Sequence, residues 1–275
     1  MAQLRVNDVQ VSYELTGQGE PLVLVHGSWS DHFSWQAVVP RLTSSFRVLT
    51  YDRRGHSQSE RPPGAGSRRE DEDDLAALLE ALDLAPAHAA GNSFGASIVL
   101  GLAARRPELF RSVVAHEPPL LAIVADEPEL RPLVQDVQSK ADSVVEQLQE
   151  GDALGGARRF VEEIAFGAGM WEELPPQVQE TFVRNAPTWR DEQEDPEWGT
   201  LDLRGLTRFR GPALLTQGDQ SPAWFSKIVQ RLAEALTHAE TRTYNGAGHA
   251  PQITHPELYA SSVSEFLSRG RAASP

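Results

Sequence analysis

The five residues Gly91-Asn92-Ser93-Phe94-Gly95 constrain this chain most. They follow Ala87-His88-Ala89-Ala90, which reads as the end of a buried strand. They precede residues 96–104, which read as a tightly packed helix. A Gly-x-Ser-x-Gly between a strand and a helix makes a turn so sharp that the serine backbone is strained and its oxygen is pushed out where a substrate can meet it. The two glycines leave room for the neighbouring strands and helix to approach. The amides at the start of the following helix can stabilise negative charge at the same point.

The rest of the chain is patterned as the sheet such a turn needs. Short apolar runs alternate with helical patterns, the signature of a mostly parallel sheet flanked by helices. Leu4–Val9 and Val11–Leu15 read as an opening antiparallel pair. Pro21–Val25 and Phe46–Tyr51 are continuous apolar runs, as strands covered on both faces require. Ser112–His116, Pro212–Gln217 and Glu240–Tyr244 supply three more strands, for eight in all. Glu70–Leu84 reads as an amphipathic helix whose cluster Glu70-Asp71-Glu72-Asp73-Asp74 is its solvated, dipole-opposing start. Trp224–Leu236 and Pro256–Leu267 read as closing helices, and Arg269–Pro275 as a frayed tail.

Residues 120–206 break this alternation. Leu130–Glu150, Ala157–Phe166 and Pro175–Asn185 show apolar residues at helical spacing. The expected organisation is therefore a core of residues 1–119 and 207–275 with a helical cap, 120–206, inserted over the strand ends. The cap carries Phe160, Phe166, Met170, Trp171, Phe182 and Trp189, most of them packing inside it. Trp171 and Trp189, with Trp29 and Trp224 of the core, are the candidates for a substrate-pocket wall.

Composition narrows the chemistry. With 275 residues, a net charge of −14 and no basic stripe, nucleic acid is not an expected partner. The chain has no cysteine, which excludes disulfides, thiolate catalysis and cysteine metal sites. No signal peptide or membrane-spanning run is apparent, so a cytoplasmic location away from membranes is the expectation. The sequence leaves the oligomeric state open.

A serine hydroxyl is a poor nucleophile at neutral pH. It needs a histidine to take its proton, a carboxylate to orient that histidine, and amides aimed at the developing oxyanion. Among eight histidines, His249 in Gly246-Ala247-Gly248-His249-Ala250-Pro251 follows the last strand and precedes the last helix, so it can sit on a loop above the sheet. The oxyanion donors are expected to be the backbone amides of Phe94 and of Ser28 in His26-Gly27-Ser28-Trp29, with Trp29 as the substitute for Ser28.

These motifs together resemble the α/β-hydrolase superfamily over nearly the whole chain. The resemblance rests on His26-Gly27 after the third strand, Asp52-Arg53-Arg54-Gly55-His56-Ser57-Gln58-Ser59 after the fourth, the elbow, and Gly248-His249 before the last helix. In that family the second stretch usually has glycine where Ser57 stands here. Asp52 and Arg54 read as structural loop residues. The family's acid usually lies three residues after a glycine that closes the seventh strand. In Gly218-Asp219-Gln220-Ser221-Pro222 that position holds Ser221, which cannot carry the charge. Some members, including haloalkane dehalogenases and zearalenone-type lactone hydrolases, place the acid after the sixth strand, and the run Ala115-His116-Glu117-Pro118-Pro119 resembles the lactone hydrolases. Position favours Glu117 as the acid, with Asp219 as the alternative.

The resemblance implies a serine hydrolase that cleaves a small, mostly apolar carboxylic ester or lactone through an acyl-enzyme, with no cofactor and no metal. Two alternatives stay open. The elbow and Gln252 resemble carbon–carbon bond hydrolases of the meta-cleavage-product type, which usually carry the strand-seven aspartate. Other relatives of this fold act as low-turnover ligand-binding proteins.

Overall fold

The computed structural model describes residues 1–64 and 66–271. Eight strands form one sheet: β1 (Ala2–Val6), β2 (Val9–Thr16), β3 (Glu20–Val25), β4 (Phe46–Tyr51), β5 (Ala87–Asn92), β6 (Phe110–His116), β7 (Ala213–Gly218) and β8 (Glu240–Tyr244). Their order is β1-β2-β4-β3-β5-β6-β7-β8. β1 and β2 are antiparallel, β2 pairs antiparallel with β4, and the remaining pairs are parallel. Every residue of β5 is buried, as expected of a strand at the sheet's centre with helices on both faces.

The opening hairpin turns earlier than its apolar pattern suggests. Val6 pairs with Val9, so Asn7 and Asp8 form a two-residue loop, with φ of 43° and 64°. Asn and Asp tolerate the left-handed conformation that such a turn needs.

The longer helices are α1 (Arg68–Ala81), α2 (Phe94–Arg105), α3 (Arg131–Gln149), α4 (Ala153–Arg159), α5 (Pro176–Glu194), α6 (Ala223–Ala235) and α7 (Pro256–Arg271). Ser67 caps α1 in a reciprocal capping box with Glu70. The acidic cluster is not the solvated helix start its composition suggests: Asp71, Glu72 and Asp74 are buried. Arginines account for this: Arg53 pairs with Asp71 and Arg54 with Asp74 from the loop after β4, Arg105 of α2 pairs with Glu72, and Arg68 of α1 itself pairs with Glu72 one turn on. α7 extends through Arg271, so the start of the expected tail is helical, and residues 272–275 lie outside those described.

Between β6 and β7 the chain is helical. α4 passes directly into a π-helical turn, Phe160–Ala165. α5 runs nine residues past Asn185, through Pro187. A proline removes one ladder hydrogen bond and should end a helix, but one local and two tertiary contacts hold the extension. Within α5, Thr188 Oγ1 donates to Asn185 O at 2.6 Å, and from outside it Arg61 pairs with Asp191 and Arg53 with Glu192. This extra length carries Trp189, Glu192 and Gln193 over the sheet. None of the described helices is long and apolar enough to cross a membrane.

Candidate active site

Ser93 ends β5 and begins α2 with φ 54° and ψ −126°, a backbone conformation that non-glycine residues rarely adopt. The glycines permit the turn by close approach. A Cβ on Gly91 would lie 2.4 Å from Gly95 O, and one on Gly95 would lie 2.2 Å from Val25 O. The Ser93 amide donates to His116 O at 2.8 Å, which fixes the elbow to the end of β6.

The loop bearing His249 is held against this elbow. Asn92 Nδ2 donates to His249 O at 2.8 Å, and Gln252 Nε2 donates to Asn92 Oδ1 at 3.0 Å. The His249 ring stacks on Phe225, with centroids 4.2 Å apart. Its Nδ1 lies 2.7 Å from Glu117 Oε2.

Glu117 follows β6 directly, with φ 45°. Its carboxylate also accepts the Gly218 amide at 2.7 Å and the Ser221 hydroxyl at 2.9 Å. Burial opposes its ionisation, but the imidazoles of His116 and His249 and the Gly218 amide outweigh burial and hold its pKa at about 2. Burial likewise holds His116 neutral, with its pKa lowered to about 4. Ser221, at the position where the family usually has an acid, is thus a hydrogen-bond donor to the Glu117 carboxylate. Asp219 lies away from this group: its Oδ1 accepts the Gly246 amide at 2.8 Å and the Gln220 side chain at 3.0 Å on an exposed loop.

A narrow cavity opens onto this group. Ser28, Ser93, Phe94, Glu192 and His249 line it, together with Phe160, Ile164, Trp189, Trp198, Trp224 and Phe225 among others. Two of the four tryptophans expected at a pocket wall, Trp189 and Trp224, line it. Trp29 and Trp171 do not. Trp29 is fully buried beside it, with ring centroids 5.1 Å from Phe160 and 5.4 Å from Trp189. Trp171 is buried in the hydrophobic core that the helices between β6 and β7 share with the sheet.

Two loops complete the surroundings. His26 is pinned: its Nε2 accepts the Arg53 amide at 3.0 Å and its Nδ1 bonds Gly27 O at 2.9 Å. Burial and the adjacent Arg53 charge lower its pKa to about 3, so the ring is neutral. Asp52 Oδ1 lies 2.6 Å from His32 Nδ1, and Arg54 forms two hydrogen bonds to Asp74, so both serve the loop's architecture. Ser57, in place of glycine, holds φ 43°. Its amide donates to Asn185 Oδ1 and its hydroxyl to Asp31, contacts that offset the strain.

Sequence reasoning passed over Arg53, Trp198, Phe225 and Glu192. Arg53 stands within the quoted loop motif, so a buried role was within reach. Glu192 carried no local signal, because only the continuation of α5 past Pro187 delivers it.

A sharp serine turn at the end of a central parallel strand, with a histidine loop and a carboxylate beside it, defines a class. The chain belongs to the alpha/beta hydrolase fold family, whose model matches residues 20–256. Its relatives include the 2-hydroxymuconate semialdehyde hydrolase of Pseudomonas sp. (strain CF600), 28% identical over 94% of this chain and 90% of that protein. The (E)-2-((N-methylformamido)methylene)succinate hydrolase of Acinetobacter baylyi (strain ATCC 33305 / BD413 / ADP1) is 30% identical over 95% of each. Among solved structures, an alpha/beta hydrolase from Sphaerobacter thermophilus DSM 20745 superposes with a TM-score of 0.78 at 25% identity, covering 97% of this chain and all of that one.

Proposed function

We propose that this chain hydrolyses a small, mostly apolar carboxylic ester or lactone through an acyl-enzyme on Ser93. The observation that carries the reading is the 2.7 Å contact between His249 Nδ1 and Glu117 Oε2, beside the strained serine and in a cavity lined mainly by apolar side chains. Ser93 Oγ attacks the carbonyl carbon while His249 Nε2, the nitrogen Glu117 leaves free, takes the hydroxyl proton. Negative charge develops on the carbonyl oxygen and is met by the amides of Ser28 and Phe94. The Phe94 amide belongs to the first turn of α2, where N–H groups have no intrahelical partner. His249 returns the proton to the leaving oxygen, which stays tethered if the substrate is a lactone. Water then repeats the sequence on the acyl-enzyme. Glu117 keeps its charge throughout, orienting the imidazole and stabilising its cation. On this reading residues 120–206 act as a cap that closes the cavity over the core of residues 1–119 and 207–275. The scheme requires no metal or cofactor.

One observation favours a second reading. The relative named 2-hydroxymuconate semialdehyde hydrolase spans nearly the whole chain, and the Asn92–Gln252 pair is a contact that carbon–carbon bond hydrolysis could share. A turnover panel of aryl esters, aliphatic esters, lactones and a coloured ring-fission dienone separates the two, with Ser93→Ala as the blank. Ester or lactone turnover that vanishes in Ser93→Ala is expected. Loss of the dienone's colour with esters and lactones untouched would overturn the proposal.

A further inference from the structure

The helices between β6 and β7 hold the loop after β3 through polar contacts from α5: Asn185 donates to Trp29 O and Ser30 O, and Glu192 reaches Ser28. Ser28 Oγ donates to Glu192 Oε2 at 2.5 Å, and Arg53 donates to Glu192 Oε1 at 2.6 Å. Arg53 in turn donates to Asp71 at 2.8 Å. The Arg53 and Glu192 side chains are only 0% and 7% exposed. The loop His26–Ser28 is therefore gripped from two sides. The Arg53 amide holds His26 from the core, and Glu192 holds Ser28 from α5.

The proposed chemistry uses the Ser28 amide and leaves its hydroxyl without a task. Burying a carboxylate beside an apolar cavity is unfavourable unless its oxygens are satisfied. Here both are, one of them by that hydroxyl. Hydrogen-bonding the Ser28 side chain restricts its rotamer and, with it, the peptide that carries the amide. The next residue, Trp29, already holds φ 64° and is locked by aromatic packing. An oxyanion donor is effective only when it is aimed before charge develops.

We propose that Glu192 is a positioning residue which, through the Ser28 hydroxyl, aims the Ser28 amide at the oxyanion, so that the oxyanion hole is complete only when α5 is seated on the core. This rests on the serine-hydrolase reading above.

The test is the rate at which a fluorophosphonate labels Ser93, followed by intact mass, together with kcat and KM on the best ester of the panel. Ser28→Ala keeps the amide and the Arg53–Glu192 pair and removes only the tether. It should slow labelling and kcat by about tenfold or more, part of the effect of deleting a donor outright, with KM changed less than threefold. Ser28→Thr, which keeps a hydroxyl, should recover most of the labelling rate that Ser28→Ala loses. Glu192→Ala should match Ser28→Ala, and the double variant should be no slower than the slower single. If Glu192→Ala does not fold, the two Ser28 variants decide alone. Ser28→Ala labelling at the wild-type rate, or single effects that multiply in the double variant, would overturn the inference. A wild-type protein that takes no label at Ser93 would overturn the serine-nucleophile reading itself, and this inference with it.

Discussion

The ends of β6 and β7 lie side by side in the sheet and each offers a carboxylate, yet the two are built for different work. After β6, Glu117 is fully buried in a strained conformation, and its two oxygens meet an amide, a hydroxyl and the His249 ring. After β7, Asp219 caps a neighbouring turn through the Gly246 amide on an exposed loop. Chain order does not separate them, since both fall between the serine and the histidine. What separates them is reach and desolvation. Glutamate has one more methylene than aspartate and can cross from β6 to the same imidazole nitrogen, and Ser221 on the β7 side supplies a hydrogen bond in place of a charge.

This contrast can be broken in several ways. The largest effect belongs to the nucleophile that both ends would serve: Ser93→Ala should lower kcat/KM by at least about 10⁴-fold, and any smaller loss in the ester assay would remove the premise. Next comes an attempt to move the acid from one end to the other. Glu117→Ala leaves His249 without a partner, and adding Ser221→Asp should recover about tenfold or more of kcat, because residue 221 already touches the Glu117 oxygen that meets His249. No recovery in a folded double variant would mean that reach alone does not define the acid's position.

The smallest effect concerns how dry the β6 end is. His116 should titrate near pH 4 when its ring protons are followed by NMR. Between about pH 6.5 and 4 the unfolded chain takes up a proton at this site that the fold refuses. Stability therefore falls as pH falls, by about 1.4 kcal/mol per pH unit from this group. His116→Gln should flatten the pH dependence of the unfolding free energy by that amount, and an unchanged slope would show that the site is wet.

Much of the fold was legible because its signals are local. Runs of Val and Leu mark β3, β4, β6 and β7, and Gly91 is required by a contact within the elbow itself, while Gly95 is required by the close approach of the end of β3. Ser221 in place of an acid was likewise readable as a departure from pattern. The parts that stayed hidden depend on partners far along the chain. Asp71, Glu72 and Asp74 look like a solvated helix start until Arg53, Arg54 and Arg105 come from elsewhere to bury them. Pro187 ends the helical pattern locally, while Arg61, Arg53 and Thr188 carry α5 onward. Trp29 and Trp171 have the composition of a pocket wall, and only three-dimensional packing places them in the core instead.

In the proposed mechanism Glu117, and not Asp219, orients His249. The most direct test of this is kcat/KM for ester or lactone hydrolysis in Glu117→Gln and Asp219→Asn, with folding of each verified by circular dichroism. The account predicts a fall of roughly 10³–10⁴-fold for Glu117→Gln and a change within about twofold for Asp219→Asn, an exposed loop substitution. A healthy Glu117→Gln beside a dead, folded Asp219→Asn would contradict it.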